Sequence, residues 1–267
     1  MSVNLIKNGG FETGDLTNWS TFIDGGAGAS ATFSATTSDK YSGNYSCFIN
    51  IASGGTSASN IQLYQEYFNI VKDLKYKVRF YAKATAARST DVRVIQTVSP
   101  YSVYGLDASV NLTTSWQLYE LSFTANTTAN DTRFQFRLGG NVEDVYIDDV
   151  SLTIDFSLSK NPTVEGYSQT VLFDPVLRSK TDGGYRHTRA RFTRVPKKWR
   201  LHYTAMSDTD KATMEAFEQA CGYGAQSMTW TNPKDGQEYT VRFSKPVEYR
   251  LFRTSQLWEF EVELEEV

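Results

Sequence analysis

Three acidic side chains are the first to weigh for chemistry. Asp148 and Asp149 are adjacent within the run Val145–Leu152. Val145 and Ile147 share one parity there, while Val150 and Leu152 share the other. Side chains alternate along a strand, so this switch calls for a bulge or kink at the acidic pair. Two neighbouring carboxylates at a kink repel unless a cation or hydrogen-bond donors neutralise them. Glu12, in a Gly-Gly-Phe-Glu turn, is the third carboxylate. None of this is hydrolase geometry, since glycosidase carboxyls face each other across the bond at ~5–10 Å. The histidines are His187 and His202, each in a strand-like run with no nucleophile pattern beside it. No Gly-X-Ser-X-Gly, His-Glu-X-X-His or phosphate-cradling glycine loop occurs. No enzymatic activity is expected.

The second chemistry on offer is recognition by flat rings and hydroxyl-reading side chains. In 76–83, Tyr76, Val78, Phe80 and Ala82 make an apolar face, leaving Arg79, Tyr81 and Lys83 on the other. Val92 and Val94 point inward and leave Arg93 outward; Phe134, Phe136 and Leu138 leave Arg133, Gln135 and Arg137 outward. Tyr64 and the loop residues Tyr101 and Tyr104 extend the set. A face of Tyr, Arg and Gln offers flat rings beside hydrogen-bonding groups, and its arginines hint at an acidic ligand. An ordinary solvated sheet face is the plainer alternative.

The elements that must hold these residues are mostly strands. The fold expected is mainly β: an N-terminal jelly-roll β-sandwich over 1–155 and a smaller β-rich domain with one helix over 160–267. Strand-length runs in the first part are Tyr45–Asn50, Ile61–Tyr67, Tyr76–Ala84, Val92–Val98, Gln117–Thr124, Arg133–Leu138 and Val145–Leu152. In the second part, Gly184–Thr193, Trp199–Ala205, Gln226–Thr231, Glu238–Phe243 and Leu257–Leu264 read as strands. Ser207-Asp-Thr-Asp is an N-cap signature for a helix whose face is Ala212, Met214, Ala216, Phe217 and Ala220, ending before Gly222. Aromatic residues make up 14% of the 267-residue chain, a composition suited to pleated sheets and to binding faces.

The motif series of the first part resembles the family 4, 9 and 22 group of carbohydrate-binding modules, which have a galactose-binding-like jelly roll. The residues are Asn4-Leu-Ile-Lys-Asn-Gly-Gly-Phe-Glu12, Asn18-Trp19, Lys40-Tyr-Ser-Gly-Asn-Tyr-Ser46, Tyr76–Lys83, Trp116-Gln-Leu-Tyr119 and Val145–Leu152, in the family's order. The resemblance implies a groove for a poly- or oligosaccharide, with Tyr64, Arg79, Tyr81, Arg93, Tyr101, Gln135 and Arg137 as candidates. Trp19 and Trp116 sit in its packing motifs. It also implies a structural Ca²⁺ joining Glu12 and one of Asp148 and Asp149 to carbonyls near Gly10 and Lys40, oxygen ligands that suit this ion.

Residues 174–267 resemble the minor tail protein M family of long-tailed phages. The residues are Gly183-Gly-Tyr185, Trp199–Tyr203, Met214–Phe217, Gly222, Ser227–Pro233, Tyr239–Phe243 and the closing Trp258–Val267. That family lacks a lectin-like N-terminal domain, so a fused variant is implied, with other tail proteins as partners and the virion tail as its place. The alternatives are an accessory of a glycan-processing enzyme and a purely structural tail protein.

Charge narrows the partners. Between 178 and 200 stand nine Lys/Arg and one acid, Asp182, which fits a guarded edge strand or contact with an acidic subunit. The net charge of −3 and the lack of interleaved stacking residues argue against nucleic acid. No run is apolar enough for membrane insertion. The N-terminus has no charged n-region before an apolar stretch, so no signal peptide is expected and synthesis is placed in the bacterial cytoplasm. Cys47 and Cys221 are expected as separate buried thiols.

Overall fold

The computed structural model describes residues 1–154, 156–253 and 256–267. Asp155, at the expected domain boundary, lies outside the described residues. The chain divides into two compact units, one of Asn4–Asp155 and one of Met1–Val3 with Phe156–Val267.

The first unit is a jelly-roll sandwich of ten strands, β1–β10 in chain order. One sheet runs β1 (Ser20–Ile23), β4 (Ile61–Ile70), β9 (Ala129–Arg137), β6 (Arg88–Gln96), β7 (Val103–Leu112). The other runs β2 (Ala29–Thr36), β3 (Ser46–Gly54), β10 (Val145–Ile154), β5 (Lys75–Ala84), β8 (Gln117–Thr124). No expected strand-length run covers β1, β2 or β7. β1 is only four residues, all exposed, and β2 alternates alanine with polar residues, so neither carries a strong apolar period. β7 alternates Tyr104, Leu106, Ala108, Val110 and Leu112 with Gly105, Asp107, Ser109 and Asn111, so its period was open to discovery.

The inward parities close the core. Val78 and Phe80 of β5 and Phe134 and Phe136 of β9 are buried, and Phe80 meets Phe136 across the sheets at 4.9 Å, edge to face. Trp19 packs here too, stacked on Phe11 at 5.5 Å, while its indole N–H donates to the Asn8 carbonyl at 3.0 Å. Each such ring contributes roughly 1.5–3 kcal/mol through burial. β10 kinks where expected. Its register with β5 shifts between Asp148 and Ser151, and Asp149 has φ 49°. The parity therefore passes from Val145 and Ile147 to Val150, Leu152 and Ile154, all buried. The amino-terminal segment crosses at this kink, where Val150 N–H donates to the Gly9 carbonyl at 2.9 Å. A Cβ on Gly9 would lie 1.9 Å from the Val150 oxygen, so only glycine fits.

The second unit has a six-stranded sheet running β11 (Ser168–Val171), β14 (Lys197–Met206), β18 (Trp258–Glu266), β16 (Glu238–Phe243), β15 (Met228–Thr231), with β17 (Glu248–Leu251) also paired to β18. β12 (Val176–Lys180) and β13 (Arg186–Ala190) form a separate hairpin. Helix α1 (Asp208–Ala220) starts as its sequence indicates. Ser207 Oγ accepts from the Asp210 N–H and Asp210 accepts from the Ser207 N–H, both at 3.1 Å. Met214, Phe217 and Ala220 face the core, and Gly222 follows with φ 60°. Ser2 pairs with Thr229 of β15 through two backbone bonds of 2.8 Å. Cys47 and Cys221 are buried free thiols in different units. Among the described residues, no helix is long and apolar enough to cross a membrane.

Candidate functional site

The outward parities of β1, β4, β9 and β6 line an open cleft of about 500 Å³. Register sets its side chains in transverse rows. Tyr64 opposes Gln135, which opposes Arg93, which opposes Asp107 of β7. In the next row Phe22 opposes Gln62, Gln62 opposes Arg137, and Arg137 opposes Asp91. On the far side Glu66 opposes Arg133, which opposes Ile95. Phe22 and Tyr101, 45% and 49% exposed, are the half-bare rings of the cleft. Tyr101 comes from the loop between β6 and β7, where its N–H donates to the Val98 carbonyl at 2.8 Å.

Each arginine of the cleft is held by a carboxylate. Arg93 meets both oxygens of Asp107 at 2.9 Å, Arg133 is bound to Glu66, and Arg137 lies 3.5 Å from Asp91. The Arg133 guanidinium also stacks 4.3 Å over the Tyr64 ring, so one face of that ring is occupied. Among the described residues, four buried polar atoms here make no hydrogen bond: Gln62 Oε1, Gln135 Oε1, Arg137 Nε and Arg93 Nε, of which Arg93 Nε still has the Asp107 carboxylate at 2.9 Å as its ion-pair partner. Gln135 is only 3% exposed. Leaving a buried acceptor unmade costs ~1–3 kcal/mol, an expense expected where a ligand supplies the missing partner.

Of the residues read from sequence, Tyr64, Arg93, Tyr101, Gln135 and Arg137 come together in this cleft. Arg79 and Tyr81 do not, and this corrects the expected single face. Both lie on β5, in the opposite sheet. There Arg79 is paired with Glu120 at 2.8 Å, and Tyr81 stacks on Tyr41 with ring centroids 3.4 Å apart. Parity gives the side of a strand but not which sheet the strand joins. Tyr104 lies outside the cleft lining and donates to Asp131 at 3.0 Å. Trp116 belongs to the same outer face as Tyr81, its indole N–H donating to Asp39 at 2.9 Å. Phe22, Asp24 and Gln62 join the cleft beyond the residues that the sequence points to. Gln62 shares the parity of Tyr64 and was open to discovery, whereas Phe22 and Asp24 sit in and beside the short strand β1.

The acidic node forms as a second assembly. Asp148 is fully buried, with Oδ2 accepting from the N–H groups of Tyr41 at 2.9 Å and Ser42 at 3.1 Å. Its Oδ1 accepts from the Asp149 N–H at 2.8 Å. Burial pushes the Asp148 carboxyl above its ordinary value, against the pull of these donors. Asp149 accepts from Ser42 Oγ at 2.8 Å. Glu12 takes the N–H groups of Asn44 at 2.9 Å and Tyr45 at 3.1 Å, which hold its carboxyl below the usual range. Gly43 has φ 56°, and a Cβ there would lie 2.2 Å from Glu12 Oε1. A Cβ on Gly10 would meet Asp149 Oδ1 at 3.2 Å and the Glu12 side chain at 3.6 Å. Gly10, Glu12, Asp148, Asp149 and the loop after Lys40 therefore do converge. Backbone donors answer the acids' charge, and among the described residues no group of three or more His, Cys, Asp or Glu is arranged to hold a metal.

Several solved structures are similar to the sandwich. One, described as "CBM4 structure and function", is 28% identical, with 56% of this chain and 99% of that one covered and a TM-score of 0.47. The N-terminal cellulose-binding domain of Cellulomonas fimi β-1,4-glucanase C is 23% identical over 53% of this chain and 91% of that one, with a TM-score of 0.39. The CBM22-1 xylan-binding domain of Paenibacillus barcinonensis Xyn10C is 12% identical over 59% and 94%, with a TM-score of 0.42. Among curated proteins none matches the chain. Residues 3–144, more than half the chain, match the family described as carbohydrate binding domain, of the 4/9 group. By that match, and with a sandwich that presents a ring-rimmed polar cleft, the chain belongs to the carbohydrate binding domain family.

Proposed function

We propose that the cleft over β1, β4, β9 and β6 binds a neutral oligo- or polysaccharide without cleaving it. The observation that carries this reading is the set of unpartnered buried atoms, Gln62 Oε1, Gln135 Oε1 and Arg137 Nε, beside the half-bare rings of Phe22 and Tyr101. Sugar hydroxyls donate and accept at once, so one chain can satisfy both glutamine acceptors and the guanidinium donor. The neutral preference replaces the acidic ligand that the arginines hinted at. Asp107, Glu66 and Asp91 already answer Arg93, Arg133 and Arg137, and Asp24 adds a further negative charge to the lining.

A glycan array with the full chain tests this. Neutral glycans are expected to bind at roughly micromolar to millimolar Kd, about −4 to −8 kcal/mol. Binding confined to uronate- or sialate-bearing chains would overturn the neutral assignment, and a blank array from folded protein would remove the glycan reading. We place the protein in a phage or prophage tail, attaching the particle to host-surface glycan. The support is the resemblance of residues 174–267 to minor tail protein M, and several copies on one particle would convert weak sites into avidity. Reducing-sugar release from a polysaccharide would instead favour a partner of a glycan-processing enzyme.

The calcium reading is a separate proposal. The ion would be held by Glu12 and one of Asp148 and Asp149 with the carbonyls of Gly10 and Lys40, and would tie the amino-terminal segment to the 40–45 loop and the last strand. The approach of Asp149 Oδ1, Asp148 Oδ1 and the Glu12 side chain to Gly10 supports it. In the full chain, EDTA is then expected to lower the sandwich's melting temperature by about 5–10 °C, reversed by added Ca²⁺. An unchanged transition would leave the N–H donors as the sole neutralisers.

A further inference from the structure

The β12–β13 hairpin is exposed along nearly its whole length, with only Val176 half-buried. A two-stranded hairpin with neither face covered is marginally stable in water. Register places Arg178 opposite Thr188, Lys180 opposite Arg186 and Leu177 opposite Arg189, so cations occupy both faces. Arg178 is bound to Asp174, whose charge Arg191 also feels, but among the described residues Lys180, Arg186 and Arg189 form no ion pair. Around the base lie bare apolar side chains. Phe173 is 56% exposed and sits 6.3 Å from Phe192, with Val171, Leu177 and Val195 also exposed.

Basic residues alone have a plain explanation, since charge on an edge strand deters stray pairing. That explanation does not cover the phenylalanines. Guarding an edge calls for charge, not for two exposed aromatic rings at its root. The combination of apolar centre and charged margin is that of a protein interface.

We infer that this hairpin docks on an acidic surface of a second copy of the chain. The charge distribution selects that occupant. Residues 176–191 carry five Lys/Arg and one acid, which leaves 22 Lys/Arg against 29 Asp/Glu elsewhere, a balance of −7, while Arg194, Lys198 and Arg200 further on are already paired with Glu266, Glu263 and Glu261. The complement to the hairpin is thus the remainder of the molecule itself. Hairpin cannot pair with hairpin, because like charges would face each other across a twofold contact. The contact must therefore join the hairpin of one copy to an acidic surface of the other, either reciprocally about a twofold or in a chain of copies. It stands apart from the glycan reading and uses none of the cleft residues.

Sedimentation velocity of the full chain at roughly 1–100 µM, in low salt and in about 0.5 M NaCl, tests the inference. Self-association is expected in low salt, weakened about tenfold or more by salt and by the double variant Arg186→Glu/Arg189→Glu. A second double variant, Phe173→Ser/Phe192→Ser, should weaken it comparably while keeping the circular dichroism spectrum. Glycan binding per monomer should be unchanged in both, so failure here is separable from failure of the cleft. A monomer under all these conditions overturns the inference. So does an oligomer indifferent to both variants, or binding of random-sequence duplex DNA without self-association.

Discussion

Gln135→Ala is expected to weaken neutral-glycan binding by about tenfold or more, with a melting temperature equal to or slightly above that of the parent. The two halves of that result have one cause. Gln135 is 3% exposed yet its Oε1 has no partner, so the side chain costs the folded protein a buried unmade hydrogen bond. Truncation relieves that cost and removes an acceptor the sugar needs. Arg137→Ala should weaken binding as much, through loss of the Nε donor, while Asp91 keeps the Ser109 hydroxyl at 2.6 Å. Titration calorimetry on a glycan found by the array, alongside thermal melts, reads both quantities. Full binding by Gln135→Ala would move the site away from this cleft. Arg79→Ala is the matched comparison: it lies on the other sheet, and binding should stay within about twofold.

Asp148→Ala is expected to destabilise the sandwich by about 3–5 kcal/mol, a fall of roughly 10 °C or more. The substitution strands the N–H groups of Tyr41, Ser42 and Asp149 at once, all of which end on one buried carboxylate. Asp149→Asn should stay within about 1 kcal/mol, because asparagine tolerates φ 49° and can still accept from Ser42. The pH dependence has a sign for each acid. Burial raises Asp148 above the ordinary aspartate value, so its contribution is fully present below that value and declines as pH rises through the raised one. The gap between parent and Asp148→Ala should thus narrow over that window. Glu12 is held low by the Tyr45 and Asn44 donors, so its contribution is present above the ordinary glutamate value and lost as pH falls. Denaturant melts across pH measure both trends. A gap that is flat with pH would mean that Asp148 titrates normally.

The kink at Asp148-Asp149 and the capped helix at Ser207 were legible because each is local. A parity switch and a capping pattern are written in a few consecutive residues. The outward set Tyr64, Arg93, Gln135 and Arg137 was legible for the same reason, since alternation against buried neighbours assigns a side to each. Phe22 escaped because four exposed residues of β1 carry no period, and the hairpin partner β12 escaped likewise.

By itself, then, the sequence determined which residues turn inward, where the last strand of the sandwich breaks, and that the chain is β-rich with a carbohydrate-binding motif series. Only the tertiary structure decided that Arg79 and Tyr81 stand on one sheet and Arg93 and Gln135 on the other. It also decided that the cleft arginines are already neutralised, and that Asp148 gathers three N–H groups from distant and adjacent backbone. The reason is range. Side-chain direction follows from a residue's own backbone, whereas sheet order and partner choice depend on contacts between segments tens of residues apart, which no local period encodes.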